Sequence, residues 1–168
     1  MTMVRTFIGM GSNLGNRRAN ILSAWKTLTD KCSTRIEVIS SPYLSEPVEI
    51  DSENWFINAV GIMDTDLHPA GLLTEMLAIE TAMGRDRTRS EDRIIDLDLL
   101  YYGDLVLEEE NLIIPHSGIA DRLFVLLPLT EVAPKHCHPV SARTSSEMLK
   151  LINSKDVVKK TSWNPEEI

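Results

Sequence analysis

Apolar and polar positions along this chain switch between a period of two and a period near 3.6, and the switches outline its elements. Residues 3–9 read as a first strand. Ile21, Trp25, Leu28 and Cys32 then recur at i, i+4, i+7 and i+11, one apolar stripe of a helix over about 16–31. Ile36, Val38 and Ile39 predict a second strand within 34–45, stopped by Pro47. The polar loop Glu49-Ile50-Asp51-Ser52-Glu53-Asn54 leads to a third strand from Trp55 to Met63. Leu72, Leu73, Met76, Leu77, Ile79 and Met83 fit the helical period and predict a helix over 69–83, with Gly84 as its stop. A fourth strand is expected over 94–102. Gly103-Asp104 then turns into Leu105-Val106-Leu107, a hairpin partner. Beyond Pro115 the chain is loop-rich, then apolar from Phe124 to Leu129. A short helix is expected over 144–153, and the polar tail 154–168 is expected to fray at the periphery.

The order β-α-β-β-α-β is that of an α+β, ferredoxin-like core: an antiparallel sheet packed by helices, here with a β-hairpin extension. No repeat or linker interrupts the 168 residues, so one domain over 1–168 is expected.

Composition narrows the function classes. The chain is 43% hydrophobic, a globular value, and carries a net charge of −8. An acidic protein is a poor partner for nucleic acid. No apolar run approaches the roughly 18 residues of a membrane span, and the N-terminus lacks a signal-peptide pattern, so no membrane partner and a cytoplasmic location are expected. Cys32 falls on the apolar helical stripe and reads as a reduced core thiol, and no disulfide framework is implied.

Against this acidic background, residues 85–93 hold Arg85, Arg87, Arg89 and Arg93, followed by Asp96 and Asp98 within an apolar strand. Carboxylates two apart on a strand share a face with Cα atoms roughly 6.6–7 Å apart, while Ile95, Leu97 and Leu99 face the core. A solitary Asp-x-Asp would read as solvated. With guanidinium forks beside it, the pair suits a divalent metal and a polyphosphate. Without His or Cys neighbours, Mg²⁺ is favoured over zinc. Glu80 lies on the apolar face of its helix and in the last turn, where the macrodipole disfavours an anion. It therefore pairs with an arginine or meets a ligand. The glycines of 9–16 fit tight backbone packing better than a dinucleotide fingerprint. His116 is a loop histidine able to donate to a phosphate, and His136-Cys137-His138 lacks metal-ligand spacing.

Gly11-Ser12-Asn13-Leu14-Gly15-Asn16-Arg17, Ser45-Glu46-Pro47, Phe56-Ile57-Asn58-Ala59-Val60, Gly84-Arg85 with Arg93-x-x-Asp96-Leu97-Asp98-Leu99-Leu100, and Pro115-His116 with Arg122-x-Phe124-Val125-Leu126-x-Pro128-Leu129 and Glu131 occur in this order. Together they resemble the 6-hydroxymethyl-7,8-dihydropterin pyrophosphokinase family over about residues 3–135. The resemblance implies transfer of the β,γ-pyrophosphoryl group of ATP to the pterin hydroxymethyl oxygen in folate biosynthesis, with AMP leaving. It implies Arg85, Arg93, Asp96 and Asp98 as catalytic residues, and two Mg²⁺ ions on Asp96 and Asp98. ATP falls to Leu73, Glu80, Arg85, Arg87, Arg93, His116 and Arg122. The pterin falls to Ser45, Glu46, Pro47, Val48, Phe56, Asn58 and Phe124. A monomer or weak dimer is expected.

The chain departs from the family between Arg87 and Arg93. There the loop is short, and Thr88-Arg89-Ser90-Glu91-Asp92 replaces a frequent Trp-Gly. Arg89 is expected to substitute by stacking its guanidinium plane. Glu49 replaces a frequent glycine and Ser117 an aromatic residue. Two other classes compete. A non-catalytic nucleotide or folate sensor would bind without turnover, and an NAD(P)-dependent oxidoreductase would need a parallel β-α-β order.

Overall fold

The computed structural model of the chain describes residues 2–32 and 35–164. Its elements are β1 (Val4–Ser12), α1 (Arg17–Cys32), β2 (Arg35–Ile39), β3 (Tyr43–Ser45), β4 (Phe56–Thr65), α2 (Pro69–Ala82), β5 (Asp96–Tyr102), β6 (Leu107–Glu109), β7 (Leu112–Ile114), α3 (Leu123–Val132), α4 (Ser145–Leu151) and β8 (Val158–Lys160). The main sheet runs β5-β1-β4-β3-β8, with β2 also on β4, and β6 and β7 form a separate hairpin. Every pairing is antiparallel. The expected ferredoxin-like arrangement is therefore present, and the parallel order that a dinucleotide-binding oxidoreductase needs is not.

Helices α1 and α2 cover one face of the sheet. Ile8, Met10, Ile57, Leu97 and Leu99 meet Ile21, Trp25, Leu28, Leu72, Met76 and Ile79 there. Helix α3, formed from the apolar run before Pro134, covers the other face, where Phe7, Val60, Ile62 and Tyr101 meet Leu126 and Leu129. Strands buried on both faces read as continuous apolar runs, which is why β1 and β4 lack a clean alternation. Cys32 is buried and free, and burial pushes its thiol up. Among the described residues no helix is long and apolar enough to cross a membrane.

Four expectations need correction. Leu105-Val106-Leu107 is not a hairpin partner of β5: Leu105 and Val106 lie outside the strands, and Leu107 opens β6, which pairs with β7 instead. The strand expected over 34–45 is two strands, with residue 34 outside the described residues. Pro42 has no N–H to give a ladder. At the break the Ser40 hydroxyl accepts from the Val60 N–H at 3.0 Å in place of a backbone carbonyl. Strand β1 runs on through Gly9 and Gly11 to Ser12, so the loop expected from residue 9 begins later. At Gly11 a Cβ would stand 3.2 Å from Asn58 Oδ1. Finally, the tail is not frayed over the described residues. β8 pairs with β3, Trp163 Nε1 donates to Ser40 O at 3.1 Å, and Arg18 Nε donates to Ser162 O at 2.7 Å. Residues 165–168 lie outside the described residues.

Candidate active site

The end of α2 sets the first arginine. Gly84, at φ +95, closes a Schellman turn in which the Gly84 N–H donates to Thr81 O and the Arg85 N–H to Glu80 O, both at 3.0 Å. The turn launches Arg85 back over its own helix, where Arg85 Nη1 lies 2.7 Å from Glu80 Oε1 and 2.6 Å from Asp96 Oδ1. Glu80 is 2% exposed. Its Oε2 accepts from Arg87 Nη2 at 2.7 Å, and its Oε1 accepts from the Leu97 N–H at 2.8 Å. Every lobe of this carboxylate is thus engaged beneath the site, between the two aspartates.

Strand β5 turns Asp96 and Asp98 to the α3 face while Leu97 and Leu99 enter the opposite core. Asp96 is already paired, by Arg85 and by Arg93 Nη1 at 3.2 Å. Asp98 is not: the basic side chain that approaches it is the imidazole of His116, whose Nε2 lies at 3.7 Å. The Asp98 side chain keeps 38% accessibility because it opens onto two cavities, yet it is set deep among protein atoms. That burial, and then the Asp96 charge, push its carboxyl up to about 7 against the pull of Arg122 and Arg93. Arg93 Nε is buried and meets no acceptor.

His116 is oriented by its own loop. The Gly118 N–H donates to His116 Nδ1 at 3.0 Å, which leaves the proton of the neutral ring on Nε2, facing Asp98. Burial, then Arg122, lowers its pKa, and Asp96 opposes them. Arg122 lies across Gly118, where a Cβ would come within 2.8 Å of its Nε, and Arg122 Nη2 donates to Glu49 Oε2 at 3.0 Å.

A cavity of about 230 Å³ opens above Gly9 and Gly11. Ser45, Glu46, Val48, Phe56, Asn58 and Phe124 line it, with Arg93, Asp96, Asp98 and Arg122 at one end. Pro47 stays outside this wall. Asn58 Nδ2 donates to Ser45 Oγ at 2.8 Å, so the amide oxygen is left for a ligand. A second cavity lies between α2 and the β6–β7 hairpin, where Leu73 and His116 join Asp98 in the lining. Asp98 therefore stands at the junction of the two. Arg85, Arg87 and Glu80 line neither cavity. Arg89, expected to stack, points to solvent with an 85% exposed side chain and pairs with Asp86 at 3.1 Å.

Reading by sequence passed over Ile50, Val125 and Gly118. It also passed over Asp92, which looked like one more solvated charge. Among the described residues no group of three His, Cys, Asp or Glu could hold a metal ion. The donor set is the aspartate pair alone. That suits a hard cation completing its shell with phosphate oxygens and water.

An antiparallel sheet ending in paired carboxylates, ringed by arginines and flanked by two cavities, defines an enzyme of the phosphoryl-transfer class. The sequence matches the model of 7,8-dihydro-6-hydroxymethylpterin-pyrophosphokinase (HPPK) over residues 7–134. It is 39% identical over 133 residues to the 2-amino-4-hydroxy-6-hydroxymethyldihydropteridine pyrophosphokinase of Methylorubrum extorquens, covering 79% of this chain and 84% of the relative. It is 38% identical to the folic acid synthesis protein FOL1 of Dictyostelium discoideum, covering 84% of this chain and only 22% of that protein. The fold matches the Plasmodium falciparum HPPK-DHPS crystal structure with SDX-DHP at a TM-score of 0.74 and 16% identity, over 89% of this chain and 44% of the other. The chain belongs to the 7,8-dihydro-6-hydroxymethylpterin-pyrophosphokinase family, whose members are ATP-dependent diphosphotransferases of folate biosynthesis.

Proposed function

We propose that the two cavities are the two halves of one site, the wall of Asn58 and the phenylalanines taking the pterin and the α2–hairpin cleft taking ATP. The observation that carries this reading is the presence of Asp98 in the lining of both, with Arg93 and Arg122 in the same lining of the Asn58 cavity. The pterin hydroxymethyl oxygen bonds to the β-phosphorus, the bond from that phosphorus to the oxygen bridging to the α-phosphate breaks, and AMP leaves. Asn58 Oδ1 accepts from the N–H edge of the pterin, and Phe124 and Phe56 hold its ring. Arg93, Arg85, Arg87 and Arg122 supply fork-shaped donors to phosphate oxygens, and His116 donates through Nε2. Asp96 and Glu80 pair with Arg85, Arg87 and Arg93 in the free protein, which offsets the mutual repulsion of these guanidiniums and keeps them in place.

Asp96 and Asp98 would hold Mg²⁺, two ions in this reading, which neutralises phosphate charge and lowers the hydroxyl pKa. Positioning in a water-poor cleft supplies the rest. A monomer or weak dimer acting as one domain belongs to the same reading. The use of ATP favours a cytoplasmic setting. Phosphorus NMR of the protein with ATP, Mg²⁺ and 6-hydroxymethyl-7,8-dihydropterin tests the reading. AMP and a pterin diphosphate are expected, and ADP or no product would overturn it.

A further inference from the structure

Asp92 stands where three loops meet. Its Oδ1 accepts from Asn13 Nδ2 at 2.7 Å and from the Ser52 hydroxyl, and its Oδ2 accepts from Asn54 Nδ2 at 2.8 Å. Asn13 comes from the β1–α1 turn and is buried. It uses its other side-chain atom, Oδ1, to accept from the Arg93 N–H at 2.7 Å, and its own N–H donates to Arg93 O at 3.1 Å. A second tie lies alongside: Glu91 Oε2 accepts from the Asp51 N–H at 3.0 Å. The Ser52 hydroxyl, against the opposing effect of burial and with help from Asn54, Asn13 and Arg93, holds the Asp92 carboxyl below the usual carboxylate range.

What hangs from this junction is the site itself. The β3–β4 loop supplies Val48, Glu49 and Ile50 to the Asn58 cavity, and Phe56 follows it. The α2–β5 loop supplies Arg93, whose guanidinium carbon lies 5.6 Å from the centre of the Phe56 ring. One loop therefore borders the pterin wall and the other the phosphate end, and each is fastened to the same carboxylate. Charge-assisted hydrogen bonds from three donors on two other loops are stronger and more directional than a solvated surface charge. The buried Asn13 amide gives the junction a fixed base.

We propose that Asp92 is a positioning residue that couples the two substrate subsites, so that ordering the Arg93 loop on a nucleotide also orders the β3–β4 loop for the pterin. The proposal rests on the assignment of the two cavities above.

Coupling of this kind is reciprocal and is measured as a ratio of affinities. Calorimetric titration of the full chain with 6-hydroxymethylpterin, with and without a non-hydrolysable ATP analogue and Mg²⁺, gives that ratio. The nucleotide should tighten pterin binding at least about tenfold in the unaltered protein. In Asp92→Ala the ratio should fall to within about threefold of unity, while binding of the nucleotide alone changes by less than about threefold. The pair Ser52→Ala with Asn54→Ala, made from the opposite loop, should reproduce the loss, and Asp92→Asn, which keeps one acceptor oxygen, should retain part of the coupling. An unchanged ratio in Asp92→Ala would overturn the proposal. So would equal weakening of each ligand alone with the ratio preserved, the mark of a merely structural role. If Asp92→Ala fails to fold, the Ser52 and Asn54 variant decides by the same criteria. Failure of the unaltered protein to bind either ligand would instead overturn the cavity assignment, and the coupling with it.

Discussion

Asp98 is the least compensated charge in the site, and its neighbours say why. Asp96 holds two arginines, whereas Asp98 has only a distant His116. Asp98→Ala should remove a ligand without breaking an ion pair, so turnover should fall more than about a hundredfold while the thermal midpoint holds or rises. AMP release near the unaltered rate would sink the metal assignment. Glu80 should behave in the opposite sense. It is buried under the site and binds two arginines and the Leu97 N–H. Glu80→Ala takes from Arg85 one of its two carboxylate partners, leaves the buried Leu97 N–H without its acceptor and should cost about 3 kcal/mol in denaturant unfolding, with a parallel loss of kcat/KM. The residue types of this site were legible in the chain, because an arginine cluster ahead of two strand carboxylates breaks the pattern of an acidic protein. The role of Glu80 was half legible. Its place on an apolar helical face announced a partner, but two explanations stayed open until Arg85 was seen folded back by the Gly84 turn.

Among the elements, the long apolar periods were the readable ones. Helices α1 and α2 fell near their expected bounds because one stripe of each must be buried. The broken second strand and the extended first one were hidden for the same reason: pairing in a sheet depends on a distant partner, not on the local pattern. Gly61 shows how such a partner dictates a residue. It sits in β4 under Trp25, and a Cβ there would stand 2.5 Å from the indole ring. Gly61→Ala should destabilise the fold by about 1–3 kcal/mol, because a well-packed ring has nowhere to move. Urea titration checks this, and an unchanged midpoint would show that the α1 packing is looser than described.

Across the whole molecule, Glu131 ties parts of the chain that lie far apart. Its carboxylate on α3 accepts from the Ser41 N–H at 2.9 Å and from the Tyr43 hydroxyl at 2.5 Å, and it meets Lys160 of β8 at 3.4 Å. Burial alone would push its carboxyl up, but Tyr43, Ser41 and Lys160 outweigh burial and hold it below its ordinary value of 4.5. The folded value is depressed, so its stabilisation is complete above that pH and disappears as pH falls below it. Glu131→Gln should therefore be less stable than the unaltered protein at pH 7, and the gap in urea midpoint should close as pH falls from above 4.5 down through the depressed folded value. A gap independent of pH would mean that packing, not charge, carries the effect. The same part of the molecule marks the limit of reading by sequence. Binary pattern and residue chemistry were enough for the helices, the order of strands and the aspartate pair, since burial of an apolar stripe and desolvation of a charge are local demands. The docking of the tail as β8, the idle exposure of Arg89 and the junction at Asp92 came only with the assembled fold. The tail and the junction depend on which polar groups the fold brings within hydrogen-bond reach across 38 or more positions, and a hydrogen bond of that span leaves no period in the chain.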